Sequence, residues 1–144
     1  INIKKGYIRG FEFQYKYLYK LLSLNLNYNS LIGVDLENND HLSNIPADKL
    51  TSNISLRFLD DEYNVSFRNI YYFQQNRIPK NSSRENTQES SVYDIYSNWN
   101  PSKFKKKVIL RFAINNLTNL YYRKHLSSIS EPGRNFKIEL KYVF

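Results

Sequence analysis

Hydrophobic and polar residues alternate with a period of two along most of this chain, which is the signature of β-strands with two unlike faces. From Tyr7 to Tyr19 one parity reads Phe11, Phe13, Tyr15, Tyr17, Tyr19, and the other Gly10, Glu12, Gln14, Lys16. Leu22, Leu24, Leu26 and Tyr28 then alternate with Ser23, Asn25, Asn27 and Asn29. A third strand sets Leu50, Ile54, Leu56, Phe58 against Thr51, Asn53, Ser55, Arg57, and a fourth sets Tyr63, Val65, Phe67, Tyr71, Phe73 against Asn64, Ser66, Arg68. A weaker fifth carries Tyr93, Ile95 and Trp99. A sixth carries Val108, Leu110, Phe112 and Ile114 against Arg111 and Asn115. The seventh runs Phe136, Ile138, Leu140, Tyr142, Phe144 against Asn135, Lys137, Glu139, Lys141. The pattern predicts an all-β fold, an antiparallel meander of about seven long strands. Soluble strands average about 5–6 residues, whereas a tilted transmembrane strand needs roughly 9–11, and these runs have the greater length.

The connections sharpen the reading. Short links at Lys20, at Asp60-Asp61-Glu62 and at Asn100-Pro101-Ser102-Lys103 alternate with long polar ones, Leu31 to Ala47, Asn76 to Ser91 and Asn116 to Gly133. Short turns on one side and long loops on the other are the habit of an outer-membrane barrel. A segment of a transmembrane β-barrel is therefore expected. Two alternatives stay open: a small complete outer-membrane barrel with a structural or adhesive role, and a soluble lipid-binding β-barrel with its apolar parity inside.

Composition removes other classes. Across 144 residues, Lys and Arg total 21 and Asp and Glu 13, a net charge of +8, and mean hydropathy is -0.62. No run approaches the ~20 apolar residues of a membrane helix. Aromatic residues make up 16%, far above the habit of disordered chains. The absence of cysteine excludes a disulfide framework and thiolate metal sites. There is no methionine, and Ile1 to Lys20 lack the apolar core of a signal peptide. The expectation is a processed chain or a piece of a longer one.

Several segments resemble the TonB-dependent outer-membrane receptors. The run Asn115-Asn116-Leu117-Thr118-Asn119-Leu120-Tyr121-Tyr122 is similar to that family's penultimate-strand motif. His125-Leu126-Ser127 followed by Glu131-Pro132-Gly133-Arg134-Asn135-Phe136 resembles its last loop and strand, and Leu140 to Phe144 its terminal Tyr-x-Phe. Upstream, Gly10-Phe11-Glu12 and Asn44-Ile45-Pro46-Ala47-Asp48-Lys49-Leu50 resemble two earlier elements, in the family's order. The resemblance implies a plugged barrel of about 22 strands. It implies import of a scarce solute, foremost an iron complex (ferric siderophore or haem), across the Gram-negative outer membrane, energised by the TonB complex. Seven strands cannot close such a barrel. The chain, 1–144, is thus expected to be its C-terminal portion, with the plug domain, the TonB-contacting part and the earlier strands lying outside it.

Candidate residues follow. The polar parity holds Glu12, Lys16, Arg57, Arg68, Arg111, Lys137, Glu139 and Lys141. On a barrel wall it lines the lumen, where charges meet the plug or neighbouring strands, or form an electropositive path for an anionic metal complex. Glu12 is the foremost plug-facing acid by resemblance. His125 with Tyr121 and Tyr122 forms a candidate ligand loop, since imidazole can ligate haem iron; the bland reading is an unliganded loop histidine. His41 is the second loop histidine. Phe144, supported by Phe136 and Tyr142, resembles the C-terminal signal read by the barrel-assembly machinery. The basic run Lys103 to Lys107 around Phe104 is read as an interfacial anchor among outer-membrane lipid headgroups, with no nucleic-acid partner. No catalytic constellation and no His/Cys/Asp/Glu cluster at metal-site spacing emerges, so neither an enzyme nor a resident cofactor or metal is expected.

Overall fold

A computed structural model describes residues 5–105 and 107–144 of the chain. Its strands are β1 (Gly6–Tyr19), β2 (Leu22–Asp35), β3 (Asp40–His41), β4 (Lys49–Phe58), β5 (Tyr63–Tyr72), β6 (Ser90–Trp99), β7 (Val108–Asn115) and β8 (Asn135–Tyr142). They form one antiparallel sheet in the order β1-β2-β4-β5-β6-β7-β8, with the two-residue β3 pairing β2 from within a loop. Each long strand pairs with its neighbour in sequence, so the meander is as expected. β1 and β8 are the two edges.

The pairing is in register across the whole sheet, so parity is preserved from strand to strand. Lys16, Asn25, Asn53, Arg68 and Asp94 form one cross-strand row. The adjacent row on the opposite face is Tyr17, Leu24, Ile54, Phe67, Ile95, Ile114 and Phe136. One face is therefore polar and the other aromatic and aliphatic. The apolar face has no cover: Ile54 is 44% exposed, Phe67 41% and Ile138 74%. Among the described residues only Ile45 and Val92 are buried apolar side chains. A soluble barrel would gather its apolar parity into a shared core, and none exists here.

Connection lengths keep the expected alternation. The short links are 20–21, 59–62 and 100–107, the last containing a 3₁₀ turn at Ser102–Phe104. The long ones are 36–48, 73–89 and 116–134. One boundary differs from the sequence reading. β2 continues through Leu31 to Asp35, residues assigned above to a loop. The alternation breaks there because Ser30 falls on the apolar parity and Leu31 on the polar one; on the polar face Gly33 and Asp35 are buried, and loop 36–48 folds back onto the strand. A Cβ at Gly33 would lie 2.8 Å from Ile45 Cδ1 and 2.9 Å from Leu42 Cβ, so only glycine lets that loop approach. At the other end β8 stops at Tyr142, though Val143 N–H still donates to Lys107 O (2.8 Å); Phe144 lies just past the strand.

The uncovered face sets an expectation. In a barrel containing this sheet, Ile54→Lys is expected to destabilise by about 2–4 kcal/mol, the cost of a lysine near the bilayer midplane. Thr51→Lys, on the polar face, is expected to cost less than half of that. Denaturant unfolding in lipid checks this, and equal effects would show that the apolar face does not meet lipid.

Candidate functional site

The polar face carries a graded set of charges. Arg68 donates from Nε (3.0 Å) and Nη2 (2.7 Å) to Asp94 Oδ2, and Nη2 also bonds the Tyr96 hydroxyl. Tyr96 Oη donates to Asp94 Oδ2 (3.2 Å), Asn115 Nδ2 donates to Tyr96 Oη (3.0 Å), and Asn116 N–H donates to Asp94 Oδ1 (2.8 Å). The Asp94 side chain is 4% exposed, so this is a buried carboxylate with every oxygen engaged. Arg111 pairs with Glu139 directly across the β7–β8 ladder (2.7 Å), and Arg57 pairs with Asp61 (3.5 Å). Both lie in the exposed range, where a pair contributes at most about 1 kcal/mol. Glu12, Lys16, Lys137 and Lys141 share the face without an ion pair among the described residues. All eight residues expected on the polar parity thus sit on one face; Arg68 and Arg111 are matched by acids of this same sheet, and Arg57 by an acid of the adjoining short link. Asp94 and Tyr96 escaped the sequence reading; their place on the polar parity of β6, on either side of Ile95, was the available signal.

The long loops are braced against one another. Gln75 is fully buried. Its Nε2 donates to Ile45 O (3.2 Å) and Pro46 O (2.8 Å), its Oε1 accepts from Arg77 N–H (3.1 Å), and its backbone exchanges two bonds with Thr87. Arg77 bonds Asp48 (2.7 Å), and Asp40 Oδ2 accepts Lys80 N–H (2.9 Å), which holds the Asp40 carboxyl below its ordinary value. Nothing in the sequence pattern distinguishes Gln75 from other loop glutamines.

Loop 116–134 turns inward over the polar face. Asn116 and Asn119 hold positive φ (53° and 55°), a region asparagine tolerates better than most residues. Asn116 Nδ2 donates to Leu120 O (2.8 Å) and Pro132 O (3.1 Å), while its Oδ1 accepts Leu120 N–H (2.8 Å). The asparagines that carried the family resemblance are therefore the loop's organisers. Tyr122 rests on Tyr72, with ring centroids 6.0 Å apart, and Lys124 pairs with Glu131 (3.1 Å). Burial, then the neighbouring Tyr72 and Glu131, push the Tyr122 phenol up to about 12, so it stays protonated. His125 is buried. Its Nδ1 shares a hydrogen bond with Thr87 Oγ1 (2.8 Å) and its carbonyl accepts from Arg84 Nη1 (3.1 Å). Burial first, then Arg84 and Arg123, lower its pKa. The three residues of the candidate ligand loop are thus dispersed in role: His125 ties two loops, Tyr122 packs inward, and Tyr121 stands 85% exposed. The Nδ1 of His41 is enclosed without a hydrogen-bond partner, and no group of three His, Cys, Asp or Glu that could hold a metal occurs among the described residues.

At the β8 edge Phe136, Tyr142 and Phe144 are all exposed, and the Tyr142 and Phe144 rings meet edge to face at 5.1 Å. Near the short β6–β7 link, Lys103 Nζ lies 6.0 Å from the Trp99 ring centroid and 5.0 Å from that of Phe104. Lys106 of that basic run lies outside the described residues.

No protein-family model matches the sequence. Over 145 residues it is 32% identical to "Heme/hemopexin utilization protein C" of Haemophilus influenzae, an alignment covering 99% of this chain and 20% of that protein. It is 24% identical over 159 residues to "TonB-dependent heme receptor A" of Haemophilus ducreyi, covering 99% of this chain and 21% of that one. Among solved structures, the copper transporter OprC superposes with a TM-score of 0.87 at 17% identity, covering 96% of this chain and 24% of that chain. The chain is thus similar in sequence to one segment of a TonB-dependent heme receptor and in fold to one segment of a metal transporter. The FrpB iron transporter from Neisseria meningitidis (F5-1 variant) has the same fold there, with a TM-score of 0.77 at 18% identity, covering 95% of this chain and 24% of that one. The chain spans about a fifth of the length of the curated relatives it matches. The named proteins are a utilization protein, a receptor and two transporters.

Two outcomes follow from the receptor segment's geometry. Arg68→Gln leaves the Asp94 carboxylate buried without its cation, and the expected loss is on the order of 3 kcal/mol. Adding Asp94→Asn is expected to restore most of it in denaturant unfolding, and no recovery would mean that the pair is not the cause. His125 has a folded pKa below that of the unfolded chain. The unfolded state therefore takes up the proton first as pH falls. The loop brace is expected to weaken below about pH 6.5 and then level off. Hydrogen exchange of 116–134 as a function of pH reads this directly, and His125→Gln should flatten the profile.

Proposed function

We propose that this chain is the C-terminal portion of the barrel of a receptor that imports an iron complex, with haem foremost, across the outer membrane. The observation that carries the proposal is similarity over 99% of this chain to two proteins named for haem, joined to a sheet with one uncovered apolar face and one charged face. On this reading the apolar face meets lipid and the polar face lines the lumen. Loops 36–48, 73–89 and 116–134 rim the outer mouth. The plug and earlier strands, supplied by the rest of the receptor, complete the barrel along the open β1 and β8 edges. Energy comes through the TonB complex, which contacts the part outside this chain.

The lumen charges divide by burial. Arg68 is held by Asp94, and Arg111 and Arg57 by weaker surface pairs, so the arginines act first as wall structure. The unpaired lysines and Glu12 are the groups left for the plug or for a solute. Phe144, exposed just past the β8 edge with its ring edge to face against Tyr142, serves the assembly machinery as the terminal signal.

The test uses the complete receptor in a strain that can take its iron either from haem or from free iron salts. Its deletion is expected to abolish growth on haem as sole iron source while leaving growth on free iron salts intact; undiminished growth on haem would overturn the substrate. In the same receptor, removal of Phe144 is expected to cut the heat-modifiable, surface-labelled form several-fold, whereas Leu126→Ala leaves it unchanged. Equal assembly of the two would remove the signal role.

A further inference from the structure

Two hollows lie along the polar face. The upper one sits beneath loop 116–134 and is lined by Arg68, Tyr72, Tyr122, Lys124, Glu131 and Lys137. The lower one lies against β4 to β8 and is lined in part by Asn53, Tyr96, Asn98 and Arg111, again with Arg68 and Lys137. Arg68 and Lys137 are the residues common to both, so the hollows join at these two cations. Their charges are not equal in availability. Arg68 is committed to Asp94 at 2.7 Å and Lys124 to Glu131 at 3.1 Å. Arg111 is committed to Glu139 at 2.7 Å. Lys137 makes no ion pair among the described residues, and across the ladder it faces Ala113, whose methyl leaves room beside it. A compact ammonium with three donors and no acid partner suits a carboxylate.

Above that lysine, the upper hollow has an aromatic wall. Tyr72 and Tyr122 lie with their rings tilted by 30°. Burial keeps the Tyr122 phenol protonated, so it offers a ring face and an O–H donor. A flat apolar body against the rings and an acidic group at the lysine is the ligand shape that this arrangement accepts.

We propose that Lys137 is a binding residue for a carboxylate of the imported solute, at the junction of the two hollows, with Tyr72 and Tyr122 flanking the body of that solute. The inference rests on the haem-import reading and specifies where on the wall a porphyrin carboxylate would sit.

The experiment titrates purified complete receptor in detergent with haem and with haem dimethyl ester, followed by absorbance. The wild type is expected to bind haem about tenfold more tightly than the ester. Lys137→Gln is expected to lose that preference, with affinity for the ester unchanged and the heat-modifiable form intact. Lys137→Arg is expected to recover part of it, and Tyr122→Leu to weaken both ligands together. Three results overturn the site alone: unchanged haem affinity in Lys137→Gln, equal loss of both ligands in that variant, or a wild-type receptor that binds haem without preferring it to the ester. A wild-type receptor that binds neither ligand overturns the haem reading itself, and this inference with it.

Discussion

Everything in this sheet depends on the unbroken register of its backbone ladder. A strand alternates its side chains strictly, and a shift of one residue between neighbours would send every side chain of the next strand to the wrong face. Here six successive long pairings hold register without a slip. Rows such as Lys16, Asn25, Asn53, Arg68 and Asp94 therefore stay on one side across five strands. The separation of a charged wall from an apolar one is a property of the ladder first and of the side chains second. It also permits Asp94 to be buried, because the row delivers Arg68 beside it.

The strands were legible in the sequence because period two is a local signal. Each of the seven long strands falls close to its expected place, and the short and long connections alternate as read. The upper part of β2 was not legible. Ser30 and Leu31 invert the polar and apolar parities there, and Gly33, packed against Ile45 and Leu42, has no side chain to mark its face. The same reasoning covers the site. The polar parity named its charged members correctly, yet their partners depend on which strands become neighbours. Asp94 gains its meaning from Arg68, 26 residues away in sequence, and Gln75 from Ile45 and Pro46. Loop contacts of that kind leave no periodic trace.

Histidine gives the clearest case of chemistry suggested by residue type and redirected by environment. An imidazole in a long loop beside two tyrosines suggested a ligand. In place, His125 spends its Nδ1 on Thr87 and its carbonyl on Arg84, and it joins loop 116–134 to loop 73–89. Tyr122, from the same motif, turns to Tyr72 instead. The asparagines between them decide this, since Asn116 and Asn119 supply the left-handed backbone that folds the loop inward.

The bracing of the loops separates two kinds of position. Gln75, Asn116 and His125 are buried and each bonds to residues far away in sequence, whereas Tyr121 and Ile129, at 85% and 75% exposure, stand out from the same frame. Substitution at such tips leaves the cross-links intact. The outermost surface of the loops can therefore drift in sequence, changing what an antibody or a phage meets, while the frame beneath keeps its shape.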